Sequence, residues 1–236
     1  MAGLSEDVKC ELLKRASLFE GLAPEHVREV AGCARIQRLD KRQELFHKGD
    51  AGSQVYVIAS GRLKALTTSL EGDDVVFNIL GPGEVFGEIA LLGEMPRTAT
   101  VVAIDACELL VIDRRDFLSL LRRYPEAAVS LLRVLAVRLQ RVSELVEDTL
   151  FLNLPLRLAK KLLALDRIYG EDTEAGRRVD LKLSQEEWGD LVGATRESIN
   201  KQVRAWREQG LISVDRGYIV IHRPEELEKL AGAVLL

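Results

Sequence analysis

Residues 184–221 read SQEEWGDLVGATRESINKQVRAWREQGLISVDRGYIVI, and their punctuation decides the fold of the C-terminal part of the chain. Ser184-Gln185-Glu186-Glu187 has the form of a capping box: the Ser184 hydroxyl can accept from the Glu187 N–H while the Glu187 side chain reaches back. The helix opened there runs only to about Leu191. Val192-Gly193-Ala194 then offers a tight turn in which Gly193 can take positive φ. Thr195 is placed to cap a second helix over Arg196 to about Glu208, which Gln209-Gly210 closes. Leu211 to Val214 and Tyr218 to Ile221 flank Asp215-Arg216-Gly217 as a hairpin. Two helices, a short turn and a hairpin make a winged helix-turn-helix.

Upstream of this stretch, the spacing predicts a helix from about Pro155 to Tyr169, a polar loop over Gly170 to Arg177, and an alternating strand at Val179, Leu181 and Leu183. From Pro125 to Pro155 the chain has neither Gly nor Pro, which predicts one long helix. On it Ala128, Leu132, Leu135, Leu139, Val142 and Val146 recur at alternating steps of four and three, the pattern of a coiled-coil seam, and a parallel homodimer is expected. Pro155 lacks an N–H and restricts the residue before it, so a hinge is expected at Phe151, Leu152 and Asn153. In the first half, Gly49, Gly61, Gly72, Gly81 and Gly83 separate β-rich runs at Ser53 to Ile58, Leu63 to Thr68, Val75 to Leu80, Ala99 to Ile104 and Glu108 to Ile112. An antiparallel, jelly-roll-like β-roll is expected, capped by helices at Ser5 to Arg15 and Pro24 to Cys33. The fold class is therefore α+β, with domains at 1–124, 125–150 and 151–236.

Composition limits what such a chain can do. It has 236 residues, 47% hydrophobic and 30% charged, a length that fits two ordinary domains with real cores. No apolar run approaches the roughly 18 residues of a membrane span, and Glu6 and Asp7 stand where a signal peptide needs apolar residues, so a cytoplasmic protein is expected. Cys10, Cys33 and Cys107 are scattered and never spaced C-x-x-C, which supports neither a disulfide framework nor a zinc or iron-sulfur centre; they read as reduced and structural. His26, His47 and His222 lie far apart with no ligand at metal spacing, and no nucleophile motif occurs, so neither a metal site nor an enzyme is expected. Gly81-Pro82-Gly83-Glu84-Val85-Phe86-Gly87 misses the dinucleotide-loop spacing by one residue and has no βαβ unit around it. Trp188 and Trp206 read as packing residues.

Charge is informative only locally. The formal net charge is −4, yet from Thr195 to Arg207 the second helix of the turn motif carries Arg196, Lys201, Arg204 and Arg207 against Glu197 alone, a local +3. The first residues of such a helix face base edges in a major groove, where Arg196 can grip guanine and Glu197 can accept from cytosine. Arg204, Arg207 and the wing residue Arg216 suit phosphate contacts. Double-stranded DNA is the expected partner.

The segments Phe86-Gly87-Glu88-Ile89-Ala90-Leu91-Leu92 and Pro96-Arg97-Thr98-Ala99-Thr100-Val101 allow a further reading. Gly87 permits close backbone approach, Glu88 can accept from a ribose hydroxyl, and Arg97 can neutralise a single phosphate charge, with the Thr98 hydroxyl beside it. These segments resemble the phosphate-binding cassette of cyclic-nucleotide-binding domains, and Thr195-Arg196-Glu197-Ser198-Ile199-Asn200-Lys201 resembles the recognition helix of the Crp/Fnr family of bacterial transcription factors. Nearly the whole chain resembles that family. The resemblance places Phe86, Gly87, Glu88, Ile89, Ala90, Arg97, Thr98 and Ala99 around a cyclic nucleotide effector, with Arg138 pairing with the glutamate and Val142 and Ser143 at the purine positions. It places Thr195, Arg196, Glu197, Ser198, Lys201, Arg204 and Arg216 on DNA.

The resemblance implies an effector-controlled homodimer reading a palindromic, TGTGA-like operator with its recognition helices one DNA turn apart, and RNA polymerase as a further partner. Cyclic AMP is the first expectation for the effector. Val142 stands where the cyclic-AMP branch has threonine, and Arg97-Thr98-Ala99 resembles cyclic-GMP-binding modules, so cyclic GMP, cyclic di-GMP and ligand independence stay open. A nucleotide-binding module acting through protein partners is the rival of another class. The Glu88 and Arg97 side chains could also simply pair with each other across a corner of the roll.

Overall fold

The computed structural model describes residues 5–68 and 74–232. Ser5 caps α1 (Glu6–Lys14) by accepting from the Val8 N–H, and Pro24 opens α2 (Pro24–Cys33) at its first position. A 3-10 turn over Ser17–Phe19 separates them, and the Lys9 ammonium donates to the Ala34 carbonyl at 2.6 Å, where α2 ends. The roll follows as β1 (Arg35–Leu39), β2 (Glu44–Phe46), β3 (Gln54–Ser60), β4 (Leu63–Thr68), β5 (Asp74–Leu80), β6 (Val85–Phe86), the short α3 (Glu88–Leu92), β7 (Thr100–Ala103) and β8 (Cys107–Asp113). They form two four-stranded sheets, ordered β1-β8-β3-β6 and β2-β7-β4-β5.

Both faces of the first sheet are covered. Val55 and Val57 of β3 and Leu110 and Ile112 of β8 pack toward α1, α2, α4 (Arg114–Arg123) and the start of α5 (Pro125–Phe151). Tyr56, Ile58, Leu109 and Val111 point the other way, into the interior of the roll. That is why Val55-Tyr56-Val57-Ile58 and Leu109-Leu110-Val111-Ile112 are unbroken apolar runs rather than alternating ones. The five predicted strands are all present; β1, β2 and β6 are additional, and β1, with sequence RIQRL, is an edge strand too polar to be legible.

On α5, Leu135 of the expected seam is half-buried against the core formed by α1, α2, α4 and the first sheet, while Leu132, Leu139, Val142 and Val146 of that seam are exposed. The exposed row is Val129, Leu132, Ala136, Leu139, Ser143, Val146 and Leu150, again at steps of three and four, with Leu132 65% and Leu139 69% exposed. The chain divides into two compact units with the boundary inside α5, between Arg141 and Val142.

The helix ends at Phe151. Asn153 caps α6 (Leu154–Tyr169) by accepting from the Leu156 N–H, so Phe151, Leu152 and Asn153 span the break. In the second unit the expected polar loop at 170–177 is instead a hairpin of β9 (Gly170–Thr173) and β10 (Gly176–Val179). Arg177 pairs with Asp166 and Asp172, and Arg178 pairs with Glu171, so charges in this polar stretch match within and beside the hairpin. The strand expected through Leu183 ends at Val179; Leu181 and Leu183 are buried without strand pairing. Next come α7 (Gln185–Val192), α8 (Arg196–Glu208), the hairpin β11 (Ile212–Asp215) and β12 (Tyr218–Ile221), and a final α9 (Pro224–Gly232) against α6. The four-stranded sheet of this unit is ordered β11-β12-β10-β9. Trp188 and Trp206 are buried, as packing residues should be, whereas Cys33 is exposed and not a core cysteine.

Candidate functional site

Gly87 sits at the corner between β6 and α3 with φ of 86°, in the left-handed region. A Cβ there would lie 2.7 Å from Arg97 Nη1 and 2.9 Å from the Gln54 carbonyl, so the absent side chain makes room for the guanidinium. Arg97 is only 4% exposed; it donates from Nη1 to the Gly87 carbonyl and from Nη2 to the Gln54 carbonyl, each at 3.0 Å. Its backbone is fixed by the turn before β3: the Arg97 N–H donates to Asp50 and the Gly49 N–H donates to Arg97, both at 2.8 Å. The guanidinium carbon lies 4.2 Å from the centre of the Phe46 ring and 5.5 Å from that of Tyr56. Burial pushes the Arg97 pKa down from its ordinary value, with Tyr56, Glu88 and Asp50 pulling it back up.

Glu88, 1% exposed, opens α3 beside this group. Its Oε1 accepts from Arg138 Nη1 on α5, and Arg138 Nη2 donates to the Val85 carbonyl. The alternative of a bare Glu88–Arg97 ion pair is thereby set aside, because each side chain has other partners. Of the five buried side-chain polar atoms without a hydrogen bond among the described residues, two meet here, the acceptor Glu88 Oε2 and the donor Arg97 Nε. An orphaned buried acceptor and donor each cost stability unless a third group satisfies them. A hydroxyl for Glu88 and an anionic oxygen for Arg97 have the required chemistry, so the residues fit a ribose phosphate.

In the second unit, the capping box at Ser184 is formed in both directions, with hydrogen bonds of 2.8 and 3.1 Å. Gly193 takes φ of 65° at the turn, and the Thr195 hydroxyl accepts from the Ser198 N–H to start α8. A Cβ on Gly189 would stand 2.4 Å from the Ala194 carbonyl, so the close crossing of α7 by the turn depends on that glycine. Ile199, Val203 and Trp206 bury one side of α8, while Thr195, Arg196, Glu197, Lys201 and Arg204 are exposed. Arg216 is exposed at the tip of the wing.

Two family models match the chain: a cyclic nucleotide-binding domain over residues 36–124 and a Crp-like helix-turn-helix domain over residues 156–230. A CRP-like cAMP-activated global transcriptional regulator of Mycobacterium tuberculosis is 33% identical over 223 residues, covering 94% of this chain and 99% of that protein. The chain belongs to the Crp/Fnr family of transcription regulators. Another relative, the cyclic AMP receptor protein of Thermus thermophilus, is 32% identical over 219 residues, 93% of this chain and 98% of that one. The c-di-GMP responsive global regulator CLP of Xanthomonas campestris shares the fold with a TM-score of 0.76 at 21% identity, covering 84% of this chain and 99% of its own. Among the described residues no helix is long and apolar enough to cross a membrane, and no cluster of metal-ligating side chains occurs.

Within this Crp/Fnr frame, the residues expected around an effector are not all alike. Gly87, Glu88, Arg97 and Arg138 converge through the contacts above. Phe86 is buried, and its ring stacks on Tyr56 with centroids 5.1 Å apart. Ala90 packs beside Gly52, where a Cβ would come within 2.6 Å of it. Ile89 and Thr98 are exposed and Ala99 half-buried. Val142 and Ser143 stand one turn beyond Arg138 on α5, both exposed. Sequence reasoning missed Phe46 and Tyr56 beneath Arg97, since they lie on separate strands of different sheets and no spacing links them. Glu208, the last residue of α8, pairs with Arg204 at 3.0 Å, so the whole helix carries four basic side chains against Glu197 and Glu208.

Proposed function

We propose that the chain is a homodimeric regulator that binds a cyclic mononucleotide, cyclic AMP, in the cradle of Glu88 and Arg97 and thereby controls binding of a palindromic, TGTGA-like operator. The observation carrying this reading is the pair of buried atoms without partners, Glu88 Oε2 and Arg97 Nε, one acceptor and one donor. A ribose hydroxyl would answer the first and a cyclic phosphate oxygen the second. In this reading Gly87 admits the phosphate, Ala99 and the Thr98 hydroxyl flank it, and Val142 and Ser143 face the base. Two relatives above 30% identity carry cyclic AMP in their names, which favours it as effector over cyclic GMP and cyclic di-GMP.

The exposed row on α5 supplies the dimer contact, and Phe151, Leu152 and Asn153 serve as the hinge between the helix and the DNA-reading unit. A ligand moves such an equilibrium only by its differential affinity for the two arrangements. Domains of 1–124 for sensing, 125–150 for dimerisation and 151–236 for DNA binding follow, with RNA polymerase as the further partner and the cytoplasm as the place of action.

The test is calorimetric titration of nucleotide-stripped protein with cyclic AMP and, in parallel, cyclic GMP, followed by retardation of an operator-like duplex with and without nucleotide. Heat with cyclic AMP and tighter retardation in its presence are expected. Heat with cyclic GMP alone would change the effector, and retardation indifferent to both nucleotides would make the protein a ligand-independent DNA binder. On the DNA side, Arg196→Ala is expected to cost about 1–3 kcal/mol and to relax preference at one base pair of each half-site. Equal losses on operator and random duplexes would show that Arg196 contacts only phosphate.

A further inference from the structure

The packing around Arg97 carries an assignment beyond the nucleotide reading, on which it rests. A guanidinium has five N–H groups in one plane. Here the Gly87 and Gln54 carbonyls take one from each terminal nitrogen, and the guanidinium carbon lies over the Phe46 ring, 4.2 Å from its centre. What remains is the edge bearing Nε, which has no hydrogen bond. Nε and a terminal nitrogen on that side form a fork that suits two oxygens of one phosphate.

The two carbonyls set the roll of the group about its long axis, because Nη1 and Nη2 lie on either side of that axis. The Phe46 ring, over which the guanidinium carbon lies, adds a wall that resists displacement of the group from those carbonyls. Phe46 is itself braced: its ring lies 5.8 Å from Tyr56 and 6.3 Å from Phe86, and Tyr56 is held by its hydroxyl donating to Gln54 Oε1 at 2.9 Å. We propose that Phe46 is a positioning residue: its ring holds the Arg97 guanidinium in the orientation that leaves the buried Nε without a protein partner, and so sets how tightly the cradle grips a cyclic phosphate whatever base is attached.

Base independence separates this role from recognition of the purine. Phe46→Leu, which keeps apolar bulk and removes the ring face, is expected to weaken cyclic AMP and cyclic GMP by the same factor, roughly three- to thirty-fold. Phe46→Tyr, which restores a ring, is expected to recover most of the loss. In protein labelled with 15N-arginine, the Arg97 Nε–H proton, assigned by its disappearance in Arg97→Gln, should stand upfield of the other arginines through the ring current. It should move toward them in Phe46→Leu and stay in Phe46→Tyr. A purely packing role would lower the thermal midpoint of Phe46→Leu while leaving the resonance and both affinities in place, and that result would overturn the assignment. If the unaltered protein takes up neither nucleotide, the nucleotide reading fails by itself. The resonance then decides Phe46: a shift lost in the leucine variant sustains the platform, and a shift retained removes it.

Discussion

Arg97→Gln is expected to lower cyclic-nucleotide affinity by about 2–4 kcal/mol, roughly 30- to 700-fold, while the protein stays folded and dimeric. The reasoning starts from burial. Arg97 is almost wholly enclosed, so an incoming phosphate exchanges water for the guanidinium in a place where screening is weak. Glutamine keeps a donor for one of the two carbonyls, Gly87 or Gln54, but carries no charge, so the phosphate would be desolvated without a counter-charge. Glu88 remains paired with Arg138 and can still accept from a hydroxyl, so residual binding should show a weaker dependence on ionic strength. Titration calorimetry reads the affinity and thermal unfolding the integrity of the fold. Affinity within threefold of the unaltered protein would place the anion elsewhere than in this cradle.

Leu139→Glu should have an effect of similar size on a different observable. Leu139 lies in the middle of the exposed row of α5, and a glutamate there would set two carboxylates against each other across a two-fold interface. The expected result is a shift from twice the chain mass to the 26.3 kDa of one chain in light scattering at micromolar concentration. Operator affinity should fall about 10²- to 10⁴-fold, because each half-site would then be bound without the effective concentration a tethered partner provides. Leu135→Ala is the companion variant. Leu135 packs on its own unit, so its truncation should lower the unfolding midpoint and leave the mass unchanged. Dissociation by Leu135→Ala as well as by Leu139→Glu would restore the register expected from spacing alone, and an intact Leu139→Glu dimer would place the contact off both rows.

The register shows where reading a sequence stops. Leu132, Leu139 and Val146 belong to both candidate seams, and the choice between Leu135 with Val142 and Ala136 with Ser143 turns on which side of the helix the roll already occupies. Heptad spacing cannot report that, because a core contact within the unit and a contact between copies select the same apolar residues. The hairpin at 170–179 was hidden for a related reason. Its strands, GEDT and GRRV, carry little β propensity and are held by pairing with β12 and by the ion pairs of Arg177 and Arg178.

Local chemistry was legible by contrast. Ser184 and Thr195 each cap the helix their position announces, Gly193 takes the left-handed conformation its turn requires, and Pro24 and Pro125 each open a helix. These are interactions over three or four residues, settled by backbone donors and steric limits that do not depend on distant packing. The sequence by itself therefore determined the succession of β-roll, long helix and turn motif with its wing, and the candidate residues Gly87, Glu88 and Arg97, with Arg138 supplied by the family resemblance. Only the tertiary structure decided that Glu88 belongs to Arg138 and not to Arg97, that Phe46 lies over the guanidinium, and that one donor and one acceptor are left over. Those facts depend on strands of two sheets and a helix more than forty residues away meeting at one place, and no periodicity along the chain encodes that meeting.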